Sequence, residues 1–272
     1  MKGRVLIIAG SDSGGGAGIQ ADIKSVTALG GFAATAITAL TAQNTLGVQD
    51  VFPVDIDFIQ TQMRVVLDDI GADSLKTGML HSTEVIEAVC TVIEHEGAGI
   101  PLVVDPVMVA KGGAALLDMD SVATLRDRLL PLAAVITPNI PEAEEILGAP
   151  GSISTVAHMK AAAEALKAMG PGAVLVKGGH MQGDALSDVL LDDDGFHIFE
   201  TQRIDTRHTH GTGCTLASSI AAGIAQGMDL PEAVGRAQAY VVAAIKGAPG
   251  YGKGHGPIDH GHTVAPFDAT PE

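Results

Sequence analysis

Short, wholly apolar runs alternate along the chain with longer segments in which apolar residues recur every three or four positions. The first run, residues 5–9, has no polar position, as a strand covered on both faces requires. Residues 17–29 follow with Ile19, Ile23 and Val26 on one helical face. The same alternation predicts strands at 33–40, 74–77, 102–105, 134–137 and 173–177, and helices at 58–70, 84–94, 122–130, 141–147 and 156–169. Pro131 stops one helix, and Pro141 falls in the first turn of the next, where its missing N–H costs nothing. Residues 189–191 and 196–200 flank Asp192-Asp193-Asp194-Gly195 and predict an antiparallel hairpin. Two Ala-rich helices, 215–226 and 231–245, complete the pattern. Strands and helices in this order build a mostly parallel sheet with helices on both faces. The expected architecture is one doubly wound α/β domain, 1–272, of about nine strands, with 247–272 an extended Gly/His/Pro-rich tail.

Composition narrows the function classes. The 272 residues include 16 Lys+Arg against 32 Asp+Glu, a net charge of −16, which argues against nucleic acid as a partner because phosphate contacts need clustered cations. Aromatics at 3% and the absence of Trp disfavour a base-stacking platform. An apolar fraction of 46% with 18% charged residues excludes global disorder. No stretch approaches the roughly 20 apolar residues that span a bilayer, and the run at 5–9 is too short for a signal peptide. Two cysteines, Cys90 and Cys214, with no CxxC, fit a reducing cytoplasm.

Three groups of residues carry candidate chemistry. Gly10-Ser11-Asp12-Ser13-Gly14-Gly15-Gly16-Ala17-Gly18 joins the first strand to the first helix, where glycines allow a ligand close to the backbone. It relaxes to GxGxxA, but the second strand ends in Leu40-Thr41-Ala42-Gln43-Asn44 without the acid that holds a dinucleotide ribose. There is no GK[ST] and so no P-loop. The second group is Thr209-His210-Gly211-Thr212-Gly213-Cys214-Thr215, ahead of an apolar helix. Gly211 and Gly213 let consecutive N–H groups turn to one point and, with the helix dipole, hold a migrating phosphoryl group. A thiol in that first turn is expected to have a lowered pKa, which suits Cys214 as a general base. Cys90, on a helix face with Val89 and Ile93, reads as core. The third group lies at strand ends: Asp105-Pro106-Val107-Met108, Thr137-Pro138-Asn139-Ile140-Pro141-Glu142 and Lys177-Gly178-Gly179-His180. Asp105 and Glu142 could share Mg²⁺, and Lys177 could neutralise nucleotide phosphates. His255, His260 and His262 sit among glycines in the tail and are not expected to form a metal site.

These motifs, with Gly15-Gly16-Ala17-Gly18-Ile19-Gln20-Ala21-Asp22, Thr41-Ala42-Gln43-Asn44-Thr45, Lys76-Thr77-Gly78-Met79-Leu80 and Val176-Lys177-Gly178-Gly179-His180, resemble the hydroxymethylpyrimidine/phosphomethylpyrimidine kinases across about residues 5–262. The resemblance implies a ribokinase-like fold. It also implies ATP as co-substrate, Mg²⁺ as cofactor, a pyrimidine alcohol as acceptor, a homodimer, and a role in thiamine biosynthesis with two successive phosphorylations. By the same resemblance Gln43 would hydrogen-bond the aminopyrimidine, Asp22 would lie at the substrate's polar edge, and Gly10, Met79 and Val107 would line the pocket. Asp105 and Glu142 would organise Mg²⁺ and the phosphates, with Asn139 and Lys177 beside them. Gly211, Thr212 and Gly213 would form the anion hole, and Cys214 would stand at the base position. A pyridoxal or pyridoxine kinase of the same fold is the nearest alternative, and a non-catalytic nucleotide-binding regulator is a further one.

Overall fold

The structure, a computed structural model, describes residues 2–109, 113, 116–118 and 120–267. The elements run β1 (Arg4–Asp12), α1 (Gly18–Ala28), β2 (Phe32–Asn44), β3 (Gly47–Pro53), α2 (Ile56–Asp69), β4 (Ser74–Thr77), α3 (Thr83–His95), β5 (Leu102–Val104) and α4 (Ser121–Thr124). They continue through β6 (Val135–Ile136), α5 (Ile140–Leu147), α6 (Val156–Lys167), β7 (Val174–Val176), β8 (Ala185–Leu191), β9 (Phe196–Gln202), α7 (Thr212–Ala225) and α8 (Leu230–Lys246). All nine strands join one sheet in the order β3-β2-β1-β4-β5-β6-β7-β8-β9. The six central strands are parallel, and β3, β8 and β9 are antiparallel additions at the edges.

The apolar runs do what their lack of polar positions demands. Leu6 and Ile8 of β1 pack into the core layer on one face, while Val5, Ile7 and Ala9 pack into the layer on the other. β5 divides in the same way, Leu102 and Val104 against Val103. The first layer is closed by α2, α3, α5 and α6, and the second by α1, α7 and α8. No described helix is long and apolar enough to cross a membrane.

Three expectations need correction. The second strand does not end at 40 but continues to Asn44 and folds back as β3, whose Gly47-Val48-Gln49-Asp50-Val51-Phe52-Pro53 has no apolar face to announce it. The helix expected at 122–130 is a four-residue α4 that widens into a π-helical turn, Leu125–Leu129, then tightens into a 3-10 turn, Leu130–Leu132. Pro131 sits inside that last turn instead of stopping a helix, because the first positions of a turn need no N–H. Among the described residues, the segment after 247 has no helix or strand but is docked. His255 N–H donates to Thr45 O at 2.9 Å, His210 N–H donates to Gly256 O at 3.1 Å, and Ile258 and His260 are buried. A side chain at position 254 would overlap Thr45 O, so glycine lets this segment lie flat across the β2–β3 turn. Residues 268–272 of the expected tail lie outside the described residues.

Candidate active site

Parallel strands that enter from one side leave their C-terminal ends together, and a cavity of about 1120 Å³ opens there. Its wall is built from the ends of β1, β4, β5, β6 and β7 and the start of α7. It takes in Gly10, Gln43, Met79, Val107, Asp105, Asn139, Glu142, Lys177, Gly211, Thr212, Gly213 and Cys214. Twelve of the thirteen residues expected at a site therefore meet around one space. The exception is Asp22, which is fully buried behind the wall. Its carboxylate accepts from Lys76 Nζ at 2.9 and 3.0 Å and from Ser218 Oγ at 2.5 Å. A carboxylate with those partners has no edge to offer a ligand. Lys76, from β4, belongs to the cavity wall but is itself fully buried, its ammonium held against Asp22.

The N-terminal turn of α7 has the form its glycines suggest. Gly211 caps the helix at φ +84 with no side-chain cap, and among the described residues no protein acceptor meets the N–H of Gly213 or Cys214. Two donors at a helix start are thus left facing a cavity, where the dipole adds partial positive charge. A Cβ at Gly211 would overlap Gly16 O, so only glycine lets this turn lie against the first loop. A Cβ at Gly213 would stand 3.5 Å from Lys177 Nζ and 3.6 Å from Asp105 Oδ2, which places the charged strand ends directly opposite.

Opposite the turn, Lys177 Nζ donates to Asp105 Oδ1 at 3.0 Å and lies 4.0 Å from Glu142 Oε2. Burial opposes the Lys177 charge, and the two carboxylates outweigh it, so the ammonium is held above its ordinary range. Asn139 and Glu142 form a capping box at the start of α5: Glu142 N–H donates to Asn139 Oδ1 at 3.0 Å, and Asn139 N–H to Glu142 Oε2 at 2.8 Å. Burial pushes the Glu142 carboxyl up to about 7 despite Lys177. Among the described residues no hydrogen bond reaches Asp105 Oδ2 or Glu142 Oε1, and no three His, Cys, Asp or Glu side chains converge as a metal cage.

Cys214 departs from expectation. Burial pushes its thiol up to about 12, against the pull of the Lys76 ammonium, so the group is protonated at neutral pH. A helix start lowers a thiol pKa only where the dipole is not outweighed by lost solvation.

The first glycine loop differs too. Its N–H groups are already taken: Asp12 Oδ1 accepts from Gly14, and Oδ2 from Gly16 and Ala17. The loop wraps an internal carboxylate instead of an incoming anion. His210 Nε2 joins the same carboxylate at 2.8 Å and stands 3.3 Å from Gln43 Nε2. Burial opposes ionisation of Asp12, and the hydrogen bonds from His210 and the loop outweigh it, holding the carboxyl below its ordinary range. The roles of Asp12, Lys76 and His210 are not legible in the sequence, because their partners lie 198, 54 and 198 positions away.

A family model described as phosphomethylpyrimidine kinase matches residues 12–259. The chain is 50% identical over 259 residues to the thiamine biosynthesis bifunctional protein ThiED of Geobacter sulfurreducens, covering 95% of this chain and 52% of that protein. It thus spans about half the length of that relative. It is 47% identical over 257 residues to the hydroxymethylpyrimidine/phosphomethylpyrimidine kinase of Streptomyces coelicolor, covering 94% of each. Among solved structures, an ADP complex of Bacillus subtilis pyridoxal kinase superposes with a TM-score of 0.88 at 38% identity, over 96% of this chain and 98% of that one. Phosphomethylpyrimidine kinase from Clostridium difficile superposes at 0.79 and 41%, over 90% and 100%. The fold they share with the sheet described above is ribokinase-like. Matched by the family model over most of its length, and by such relatives over nearly all of it, the chain belongs to the phosphomethylpyrimidine kinase family.

Proposed function

We propose that the chain phosphorylates 4-amino-5-hydroxymethyl-2-methylpyrimidine with ATP, and then the resulting monophosphate, in thiamine biosynthesis. One observation carries this reading beside the relatives' names: a ring-reading amide and an anion-binding turn share one cavity. Gln43 Nε2 stands 3.3 Å from Nε2 of His210, the residue just before Gly211. A ring held at Gln43 over the floor of Gly10, Met79 and Val107 would have its hydroxymethyl group near the turn of Gly211, Thr212 and Gly213. The γ-phosphoryl group of ATP would dock between that turn and Lys177, with Asn139 and Glu142 at the nucleotide side.

Phosphoryl transfer asks mainly for alignment and stabilisation of the charge on the equatorial oxygens. The N–H groups of Gly213 and Cys214 are oriented before the reaction, so they stabilise that charge without reorganising. Lys177 adds a full charge opposite. With its thiol protonated at neutral pH, Cys214 cannot take up the acceptor's proton, which would pass to an oxygen of the transferred phosphoryl group as the new P–O bond forms. A strong base is not required. The free oxygens of Asp105 and Glu142 fit Mg²⁺, which keeps waters and phosphate oxygens in its shell and needs few protein ligands. When held there, that ion would supply positive charge that offsets the phosphates' negative charge.

Pyridoxal phosphorylation is a second reading, favoured by the superposition on pyridoxal kinases. Measuring ADP release with Mg-ATP and a panel of alcohols separates the two. The pyrimidine alcohol is expected to lead; release with pyridoxal alone, or with neither, would overturn the assignment. A cytoplasmic homodimer completes the proposal.

A further inference from the structure

The two ends of the Gln43 carboxamide can be told apart by counting protons on their neighbours. As placed, Gln43 Oε1 lies 3.2 Å from Thr41 Oγ1, and Gln43 Nε2 lies 3.3 Å from His210 Nε2. Asp12 accepts three backbone N–H bonds, which only the ionised carboxylate does well, so it cannot give a proton to His210. The 2.8 Å contact between them therefore carries a hydrogen on His210 Nε2, whether the ring is neutral or charged. With that one hydrogen given to Asp12, Nε2 has no lone pair to accept from an amide NH₂, so the carbonyl end of Gln43 is the better neighbour for this electropositive ring edge. The other side agrees. The single Thr41 hydroxyl hydrogen is given to Ser11 O at 2.8 Å, so Oγ1 meets Gln43 best as an acceptor. The backbone of Gln43 is pinned as well, since Ser13 Oγ accepts from its N–H and donates to its C=O, both at 2.8 Å.

We propose that Asp12-locked His210 and Thr41 hold the Gln43 carboxamide in one orientation, carbonyl towards His210 and NH₂ towards Thr41, and thereby choose the acceptor's edge. This deepens the proposed function and rests on Gln43 being the ring-binding residue. An amide so fixed presents an acceptor on the side of the anion-binding turn and a donor on the other. It pairs with a ring bearing an exocyclic amine beside an unprotonated ring nitrogen, the amine on the His210 side. In a 4-amino-5-hydroxymethylpyrimidine the hydroxymethyl carbon is attached next to the amine-bearing carbon, on the side away from that nitrogen. The lock thus aims the reacting hydroxyl at Gly213 and Cys214. A turned amide would require a turned ring, and the hydroxyl would leave the turn. His210 and Thr41 act through Gln43 and are positioning residues.

The test compares the 4-amino alcohol with its 4-oxo analogue, whose edge has donor and acceptor exchanged. Dissociation constants for both are measured calorimetrically with a non-hydrolysable ATP analogue present, and turnover is followed separately. The unaltered protein is expected to prefer the amine. His210→Phe and Thr41→Val should each shrink that preference about tenfold, the worth of one hydrogen bond, while nucleotide affinity holds. In a Gln43→Ala background neither substitution should move the ratio further, whereas a merely structural effect would persist there. If His210→Phe fails to fold, Thr41→Val decides. No preference in the unaltered protein, or a ratio unmoved by the substitutions, overturns the lock. Tight, selective binding without turnover overturns the kinase reading alone.

Discussion

Lys76 Nζ sits 2.9 and 3.0 Å from the two carboxylate oxygens of Asp22, and neither side chain has any exposed surface. Burial opposes the Lys76 charge, and the carboxylates of Asp22 and Asp105 outweigh it, so the ammonium is held above its ordinary range. Removing one member of such a pair strands the other. Lys76→Met is expected to cost about 3–5 kcal/mol in urea unfolding, and adding Asp22→Leu should recover most of that loss. The uncharged double variant should also alkylate more slowly at Cys214, because the nearby cation that favours its thiolate is gone. Cys90 is fully buried and does not confuse the measurement. Equal instability of single and double variants would refute the pairing.

A thiol that is protonated at neutral pH can hold the proposed acceptor hydroxyl by a hydrogen bond but cannot take its proton. Losing one hydrogen bond to the reacting hydroxyl is worth about 2–12-fold. Cys214→Ala should lower kcat within that range and leave the dissociation constant for ATP nearly unchanged. A comparable loss in both would mean that the residue shapes the nucleotide site instead.

The glycines of the α7 turn are needed for different reasons, and the same substitution should separate them. Gly211 is held at φ +84 with Gly16 O against its missing side chain. Gly211→Ala should therefore lower the melting temperature, with backbone strain alone costing about 1–3 kcal/mol. Gly213 has ordinary helical geometry and room for a methyl group, but that methyl would occupy the space facing Lys177 Nζ and Asp105 Oδ2. Gly213→Ala should melt normally and lose at least tenfold in kcat/KM for ATP. If both variants only lose stability, the space between turn and strand ends is not where phosphate sits.

What the residues announced and what they hid follow from the range of the forces involved. Buried strands declare themselves because both faces must be apolar, as residues 5–9 and 102–104 show. The Asn139 cap and the Pro141 start of α5 are local chemistry and are equally legible. β3 is silent because an edge strand with exposed Phe52 carries no pattern of burial. Asp22, placed at the substrate's edge by resemblance alone, is claimed by a lysine 54 positions away, a partner that local sequence cannot show. The Cys214 pKa fails for a related reason: the dipole is set by neighbours in sequence, but solvation is set by the whole fold.

His260, expected to lie in an unsupported tail, is instead a buried part of the core seam. Its Nε2 is 3.0 Å from Thr215 Oγ1, its backbone carbonyl accepts from Tyr240 Oη at 2.5 Å, and it is 4% exposed. Burial pushes its imidazole down to about 4 from an ordinary 6.5. The unfolded chain therefore takes up this proton at a higher pH than the folded one. Stability fully present above pH 6.5 drains away as the pH falls towards 4, by up to about 3 kcal/mol for this group. His260→Gln removes the titration but keeps a polar group for Thr215. In urea unfolding at pH 7 and pH 4.5, the unaltered protein should lose more stability between the two than the variant does. Identical losses would mean that the imidazole is solvated in the native state and that the segment bearing it is not docked against α7 and α8.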